Sequence, residues 1–129
     1  RNEYIDRADP WPLNPEGELL LGLKIESKAA MPHIEEILAV PGIGFAEMGQ
    51  GDMSLALGYS KPPEPFPPVL QAARDRIKAA CHENGVAFLE GAEESNITQK
   101  IDAGVRVIAG GAEEIAEIGR AHSGRTLPV

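Results

Sequence analysis

Four times between Leu19 and Ala121 a short apolar run gives way to a stretch of helical period, and this alternation constrains the fold more than any other feature. The runs lie at about Leu19 to Ile25, Gly44 to Met48, Val86 to Leu89 and Val105 to Ala109. The helical stretches follow at about Ser27 to Val40, Val69 to Glu83, Ser95 to Asp102 and Ala112 to Ala121. Such an order implies a parallel sheet joined by right-handed crossovers. The first run, Leu19-Leu20-Leu21-Gly22-Leu23-Lys24-Ile25, is nearly unbroken, as in a strand buried on both faces, and the carboxylate of Glu26 closes it.

Local chemistry sets the boundaries. Met31, Ile34, Ile37 and Leu38 form one stripe at helical spacing, Pro32 falls early, and Pro41-Gly42 ends the helix. Residues 49–68, rich in Gly and then Pro, read as loop with a short helical turn near Ser54 to Leu57. Pro67-Pro68 opens a strong helix with Leu70, Ala73, Ile77, Ala80 and Cys81 on one face, and Asn84-Gly85 stops it. Ser95 suits an N-cap. Arg120, His122 and Arg125 suit the negative end of the last helix. The lead-in, residues 1–18, carries Pro10, Pro12 and Pro15, so regular helix and central strand are excluded there; Trp11 and Leu13 are its expected anchors.

At 129 residues the chain suits one domain with a real core, here 19–121 as four strand–helix units with 122–129 as a tail. A formal net charge of −8 argues against a general nucleic-acid or anionic-membrane surface. The single Cys81 excludes an internal disulfide and a cysteine-rich metal site, and fits a reducing cytoplasm. No apolar run approaches the ~20 residues that span a bilayer, and no secretory signal is visible. The sequence starts at Arg1 rather than Met, as in a processed product or a fragment.

Four such units fit either a small open sheet or half of a (β/α)8 barrel, which needs ~250 residues when complete. Glu26, Glu90 and Gly110-Gly111 all fall at strand C-terminal ends, where barrels build their sites. No G-x-G-x-x-G or phosphate loop supports a nucleotide-binding open sheet. The expectation is the half-barrel.

Three motifs then stand in order: Leu23-Lys24-Ile25-Glu26, Ile34 to Ile43 with its Val40-Pro41-Gly42 turn, and Gly49-Gln50-Gly51-Asp52-Met53-Ser54 followed by Leu57-Gly58. This set resembles the HpcH/HpaI aldolase family, metal-dependent class II aldolases of 2-oxo acids, over about Leu19 to Ala121. The resemblance implies strands five to eight of an eight-stranded barrel. It implies that Glu26 and Asp52 ligate Mg²⁺, Mn²⁺ or Co²⁺ and that backbone N–H groups of Gly51 and Asp52 hold a substrate carboxylate. Gln50 and Lys24 would border the same substrate. The implied reaction cleaves a 2-oxo-acid aldol to pyruvate, or a related 2-oxo acid, and an aldehyde through a metal-stabilised enolate. A citrate-lyase-type cleavage of a CoA thioester on the same barrel, and a half-barrel scaffold without chemistry, are the alternatives. The family's catalytic His and Arg belong to the first half of the barrel and match nothing here. No catalytic residue is therefore expected in this chain, and its partner would be the missing N-terminal half or another copy, with no nucleic acid or membrane.

Three departures stand out. Lys24 replaces the family's usual Gln, Glu47 its usual aromatic, and Gln50 its usual Pro. Lys24 and Glu47, on neighbouring strands, are expected to form an interior ion pair, since either charge alone is costly to bury. A Schiff-base role for Lys24 is the lesser alternative. His33, His82 and His122 are expected on the surface, Cys81 in the core, and Glu90 in a solvated or structural role, with support of the site's ligands as the lesser alternative. Glu93-Glu94 and Glu113-Glu114 suit helix N-termini.

Overall fold

The computed structural model describes residues 7–111 and 113–125. The expected helix start at Ala112, the first six residues of the lead-in and residues 126–129 of the tail lie outside the described residues. The main sheet is parallel and has four strands in chain order: β3 (Gly22–Ile25), β4 (Phe45–Met48), β5 (Ala87–Gly91) and β6 (Val105–Ala109). Gly22 pairs with Phe45, Phe45 with Ala87, and Leu89 with Val107; the register shifts once, between Phe88 and Leu89. This is the parallel α/β order expected.

The helices cover one face of this sheet. Ile25, Ala46, Met48, Phe88 and Val105 point to that side and join one core with Ile34, Leu38, Leu70, Ala73 and Ile77. The alternate residues, Gly22, Lys24, Phe45, Glu47 and Leu89, take the opposite face, because strand side chains alternate. Phe45 lays its ring across Gly22, where a Cβ would fall 2.0 Å from the ring.

The first strand departs from expectation. Leu19–Leu20 (β2) leaves the main sheet and pairs in parallel with Pro10–Trp11 (β1), a two-residue edge ladder. The apolar run is not buried on both faces: Leu19 and Leu20 are each 54% exposed and Leu21 46%, whereas Ile25 is buried. Leu19 to Leu21 precede β3, with Leu19 and Leu20 outside the main sheet, and within β3 the one-sided helical cover protects only alternate positions.

The first helix is shorter than its stripe. A turn at Ser27, whose hydroxyl accepts from the Ala30 N–H at 3.2 Å, leads into a 3₁₀ turn at Met31–His33 and α1 (Ile34–Leu38). The serine and Pro32 divert the first residues from α geometry. Helix α3 (Pro68–Glu83) buries the five predicted residues. Arg76 on α3 forks onto Glu35 of α1, 2.7 Å from Nε to Oε1, and donates to the Met31 carbonyl at 2.6 Å. Helix α4 (Ile97–Asp102) meets α5 (Glu113–Ser123) at Gly119, where a Cβ would sit 3.4 Å from Ile97.

Residues 50–56 form α2 (Gln50–Ala56), not loop, so the helix begins four residues before the expected turn. Burial decides this. Met53 is fully buried in the core, its N–H bonds the Gly49 carbonyl at 2.8 Å, and the buried Ser54 hydroxyl donates to the Gln50 carbonyl at 2.6 Å. Tertiary packing of Met53 overrides the weak helix propensity of Gly51. Among the described residues no helix is long and apolar enough to cross a membrane.

Candidate active site

Strand β3 ends at Ile25 and delivers Glu26 to the rim of the sheet. Strand β4 ends at Met48 beside it, and the chain turns at Gly49 into α2. The turn needs glycine for closeness, not for an unusual backbone, since φ there is −69°. A Cβ at Gly49 would lie 2.4 Å from Glu26 Oε2, 2.5 Å from Glu26 Cβ and 3.0 Å from Lys24 Cε. Glu26 thus lies directly against the turn that carries Asp52.

Gln50, Gly51 and Asp52 are the first three residues of α2, which Gly49 caps without a side chain. Their N–H groups have no partner within the helix, and Asp52 complements the positive end of the dipole. A cleft of about 240 Å³ opens there, and Lys24, Gln50, Gly51 and Asp52 all line it. The fold therefore brings four of the five predicted site residues to one cleft. The fifth, Glu26, borders it through Gly49 and Lys24.

Lys24 corrects one expectation. Its Cα is in register with that of Glu47, but its ion pair among the described residues runs along its own strand to Glu26 Oε2, at 3.8 Å, and not across to Glu47. The interior ion pair was expected because burial would force it. On this open face the Lys24 side chain is 54% exposed, so water meets the charge and nothing forces the pairing.

Glu26 itself is divided. Its side chain is 38% exposed, yet Oε2 is buried and is the one buried side-chain nitrogen or oxygen among the described residues with no hydrogen-bond partner. At 3.8 Å the Lys24 ammonium is beyond hydrogen-bond reach. Among the described residues no group of three or more His, Cys, Asp and Glu side chains could hold a metal ion, so any such ion here would rest on fewer protein ligands.

The sequence reading missed Arg74. It reaches from α3 to the end of β5, where Nη2 donates to Glu90 Oε2 at 2.7 Å and Nε donates to Oε1. Lys100 lies 3.3 Å from the same carboxylate. The Arg74 side chain is only 16% exposed and lines the cleft. Burial pushes the Glu90 carboxyl up, but the Arg74 hydrogen bonds and charge, with Lys100, outweigh it and hold the group below its ordinary range. Arg74 follows Leu70 by four and precedes Ile77 by three, which places it on the buried stripe; a charge there was the available signal. Glu90 is largely buried rather than solvated, is held by Arg74 and Lys100, and lines the cleft. His33, His82 and His122 are exposed and Cys81 is buried, as expected; burial pushes the thiol up to about 11.

A family model described as HpcH/HpaI aldolase/citrate lyase matches residues 12–117. The chain belongs to this family. Solved structures agree in fold. A family protein from Burkholderia cenocepacia J2315 superimposes with a TM-score of 0.61 at 24% identity, covering 86% of this chain and 42% of its own. The HpcH/HpaI aldolase from Desulfitobacterium hafniense DCB-2 gives 0.60 at 22%, covering 83% and 41%. Macrophomate synthase gives 0.65 at 24%, covering 82% and 36%. The chain therefore spans about two-fifths of the length of these structures, and at such identities the likeness establishes the fold. No curated protein matches the sequence closely. The family's parallel α/β fold, with TIM-barrel-like aldolase and citrate lyase neighbours, is the one expected of the sequence.

Proposed function

We propose that this chain is strands five to eight of a (β/α)8 barrel and carries the metal-binding half of a divalent-cation-dependent aldolase or lyase that cleaves 2-oxo-acid aldols. The single observation that supports it best is Glu26 Oε2. A buried carboxylate oxygen without a donor costs stability. A cation held between Glu26 and Asp52 would satisfy it. Two carboxylates, with water and substrate oxygens in the remaining positions, suit a hard ion such as Mg²⁺, Mn²⁺ or Co²⁺. When bound, that cation would act as a Lewis acid on the keto oxygen of the substrate.

The chain's own residues position and bind. Gly49 leaves room for Glu26 beside the loop. The free N–H groups of Gly51 and Asp52 offer donors to a substrate carboxylate. Gln50 and Lys24 border the cleft and contact the same substrate. Among the described residues no histidine lines this cleft, and the proton-moving groups are assigned to the other half of the barrel, where the family resemblance places the catalytic His and Arg.

Titration of the full chain with Mn²⁺, read by electron paramagnetic resonance or calorimetry, tests the proposal. The expected result is one ion per chain, weakened at least about tenfold in Glu26→Gln and in Asp52→Asn. Equal affinity in wild type and Glu26→Gln would overturn it. Aldol cleavage by this chain without the complementing half would contradict the assignment of proton transfer elsewhere.

A further inference from the structure

Glu26, Glu47 and Asp52 share one counter-charge at this rim. Glu26 Oε2 is buried without a hydrogen bond, Asp52 lies in the first turn of α2, and Glu47 of β4 lines the same 240 Å³ cleft. Glu90 lines it too, but Arg74 and Lys100 already neutralise that carboxylate. The ammonium of Lys24 is left to serve the other three. Lys24 and Glu47 stand where the family usually carries glutamine and an aromatic residue, so the design common to the family accounts for neither.

The place that Lys24 takes is the informative observation. It is the register partner of Glu47 on the neighbouring strand, and paired strands lie about 4.8 Å apart. Glu26 is two residues along its own strand, roughly 6.6 Å away. Lys24 nevertheless reaches along the strand. Its Cε passes over Gly49, 3.0 Å from where a Cβ would lie, and its Nζ stops 3.8 Å from Glu26 Oε2. The nearer carboxylate, Glu47, has no ion pair among the described residues. A buried oxygen without a donor draws the ammonium more strongly than a half-buried carboxylate that water still solvates. The contact is loose all the same. At 3.8 Å it is beyond hydrogen-bond reach, the Lys24 side chain is 54% exposed, and its stem is flexible.

A divalent cation on Glu26 would meet this ammonium as a like charge. With Lys24 unmoved, two positive centres would crowd one carboxylate and leave Glu47 bare. With Lys24 turned across the sheet, each carboxylate of the rim gains a partner, in a pairing that the cation-free chain does not make. Resting on the cation site proposed above, we infer that Lys24 is an exchangeable counter-ion. It holds Glu26 while the site is free of metal, cedes that carboxylate when a divalent cation binds, and pairs with Glu47 instead. Lys24 and Glu47 are positioning residues that set cation affinity without ligating the ion.

Calorimetric titration of the full chain with Mn²⁺ tests this in wild type, Lys24→Gln, Glu47→Gln and the double variant. Lys24→Gln should bind Mn²⁺ about three- to tenfold more tightly, because no ammonium has to leave Glu26. Glu47→Gln should weaken binding, and by at least about twofold more when Lys24 is present than in the Lys24→Gln background, since only the ammonium needs Glu47 as a destination. A nuclear Overhauser contact between the Lys24 Hε and Glu47 Hγ protons of the wild type should appear on saturation with Mg²⁺ and be absent without it. Should Glu47→Gln fail to fold, that contact and Lys24→Gln still decide the matter. Equal Mn²⁺ affinity in wild type and Lys24→Gln, equal losses for Glu47→Gln in both backgrounds, or a Lys24–Glu47 contact indifferent to Mg²⁺ would each overturn the inference and leave the cation site standing. No Mn²⁺ bound by either wild type or Lys24→Gln would overturn the proposed function, and this inference with it.

Discussion

Replacing Gly49 by Ala isolates the coupling between the β4–α2 turn and Glu26. The backbone at Gly49 is ordinary, with φ −69° and ψ 82°, so alanine introduces no conformational strain. The whole effect is steric. The new methyl would lie 2.4 Å from Glu26 Oε2 and 2.5 Å from Glu26 Cβ, about 1 Å inside ordinary van der Waals contact. Something must move, and the Cβ contact is the harder one to relieve because it is fixed to the β3 backbone. Overpacking of this kind costs about 1–3 kcal/mol. The partly exposed Glu26 carboxylate can swing toward water, which favours the lower end for stability. That same swing removes Oε2 from the cation it is proposed to bind, so metal affinity should fall by about 10–100-fold, the range for losing the support of a ligand.

Gly51 is the internal control. A Cβ there meets nothing within 4 Å, and the residue lies inside α2. Gly51→Ala should therefore stabilise the chain by about 0.5–1 kcal/mol and leave Mn²⁺ affinity unchanged. Paired Mn²⁺ titrations and thermal melts read both outcomes. Wild-type Mn²⁺ affinity in Gly49→Ala would refute the coupling, since a Glu26 displaced by that methyl could not keep its place in the site.

Four other expectations follow from the packing. Ile77→Ala removes a fully buried side chain from the centre of the α3 stripe and should cost about 2–5 kcal/mol in chemical denaturation. Arg74→Gln leaves the largely buried Glu90 with only Lys100; the loss should approach the ~3 kcal/mol lower end for breaking a buried pair, and a change under ~0.5 kcal/mol would contradict the role given to Arg74. The Arg76 guanidinium, forked onto Glu35, lowers that carboxyl to about 2, so this pair's contribution is present above the ordinary carboxylate pKa near 4.5 and is lost as pH falls toward 2. Glu35→Gln should lower stability near neutrality, where the pair is present, and flatten the profile in that acid window, so that variant and wild type converge as pH falls toward 2. Cys81, buried and with its thiol pushed up to about 11, should react with a thiol reagent such as dithionitrobenzoate only on unfolding, and rapid labelling of the native chain would show the core to be open.

The helices were legible where one physical cause set them. The α3 stripe of Leu70, Ala73, Ile77, Ala80 and Cys81 needs only period 3.6 and a proline start, and the structure buries those residues. Helix α2 was not legible, because its cause lies elsewhere in the chain: Met53 fits a core built by residues far away in sequence. Asp52 was found as a candidate through its motif, but its place on a helix rather than in a loop depends on that packing. Arg74 was hidden for the opposite reason. A lone arginine on an amphipathic helix usually lies in solvent, and only the arrival of Glu90 from β5, sixteen residues later, draws it inward.

The first strand carries the most information by failing its expectation. Leu19, Leu20 and Leu21 are apolar, yet each is about half exposed, and on the open face of the sheet Lys24 stands in water while Phe45 covers Gly22. An amino-acid pattern suited to burial on two faces meets a structure that covers one. Parallel sheets occur almost only with both faces covered, and the edge strands β3 and β6 each leave one row of backbone groups without a strand neighbour in the main sheet. A barrel interior and two further strands would resolve both features together. If so, covering this face should protect it. Hydrogen–deuterium exchange of β3 and β6 amides in the chain alone should run well ahead of that in β4 and β5, and adding a polypeptide that supplies the complementary half-barrel should slow the outer strands to the pace of the inner ones. Equal protection of all four strands in the chain alone would show that this sheet is already complete, and would remove the physical ground for treating it as half of a barrel.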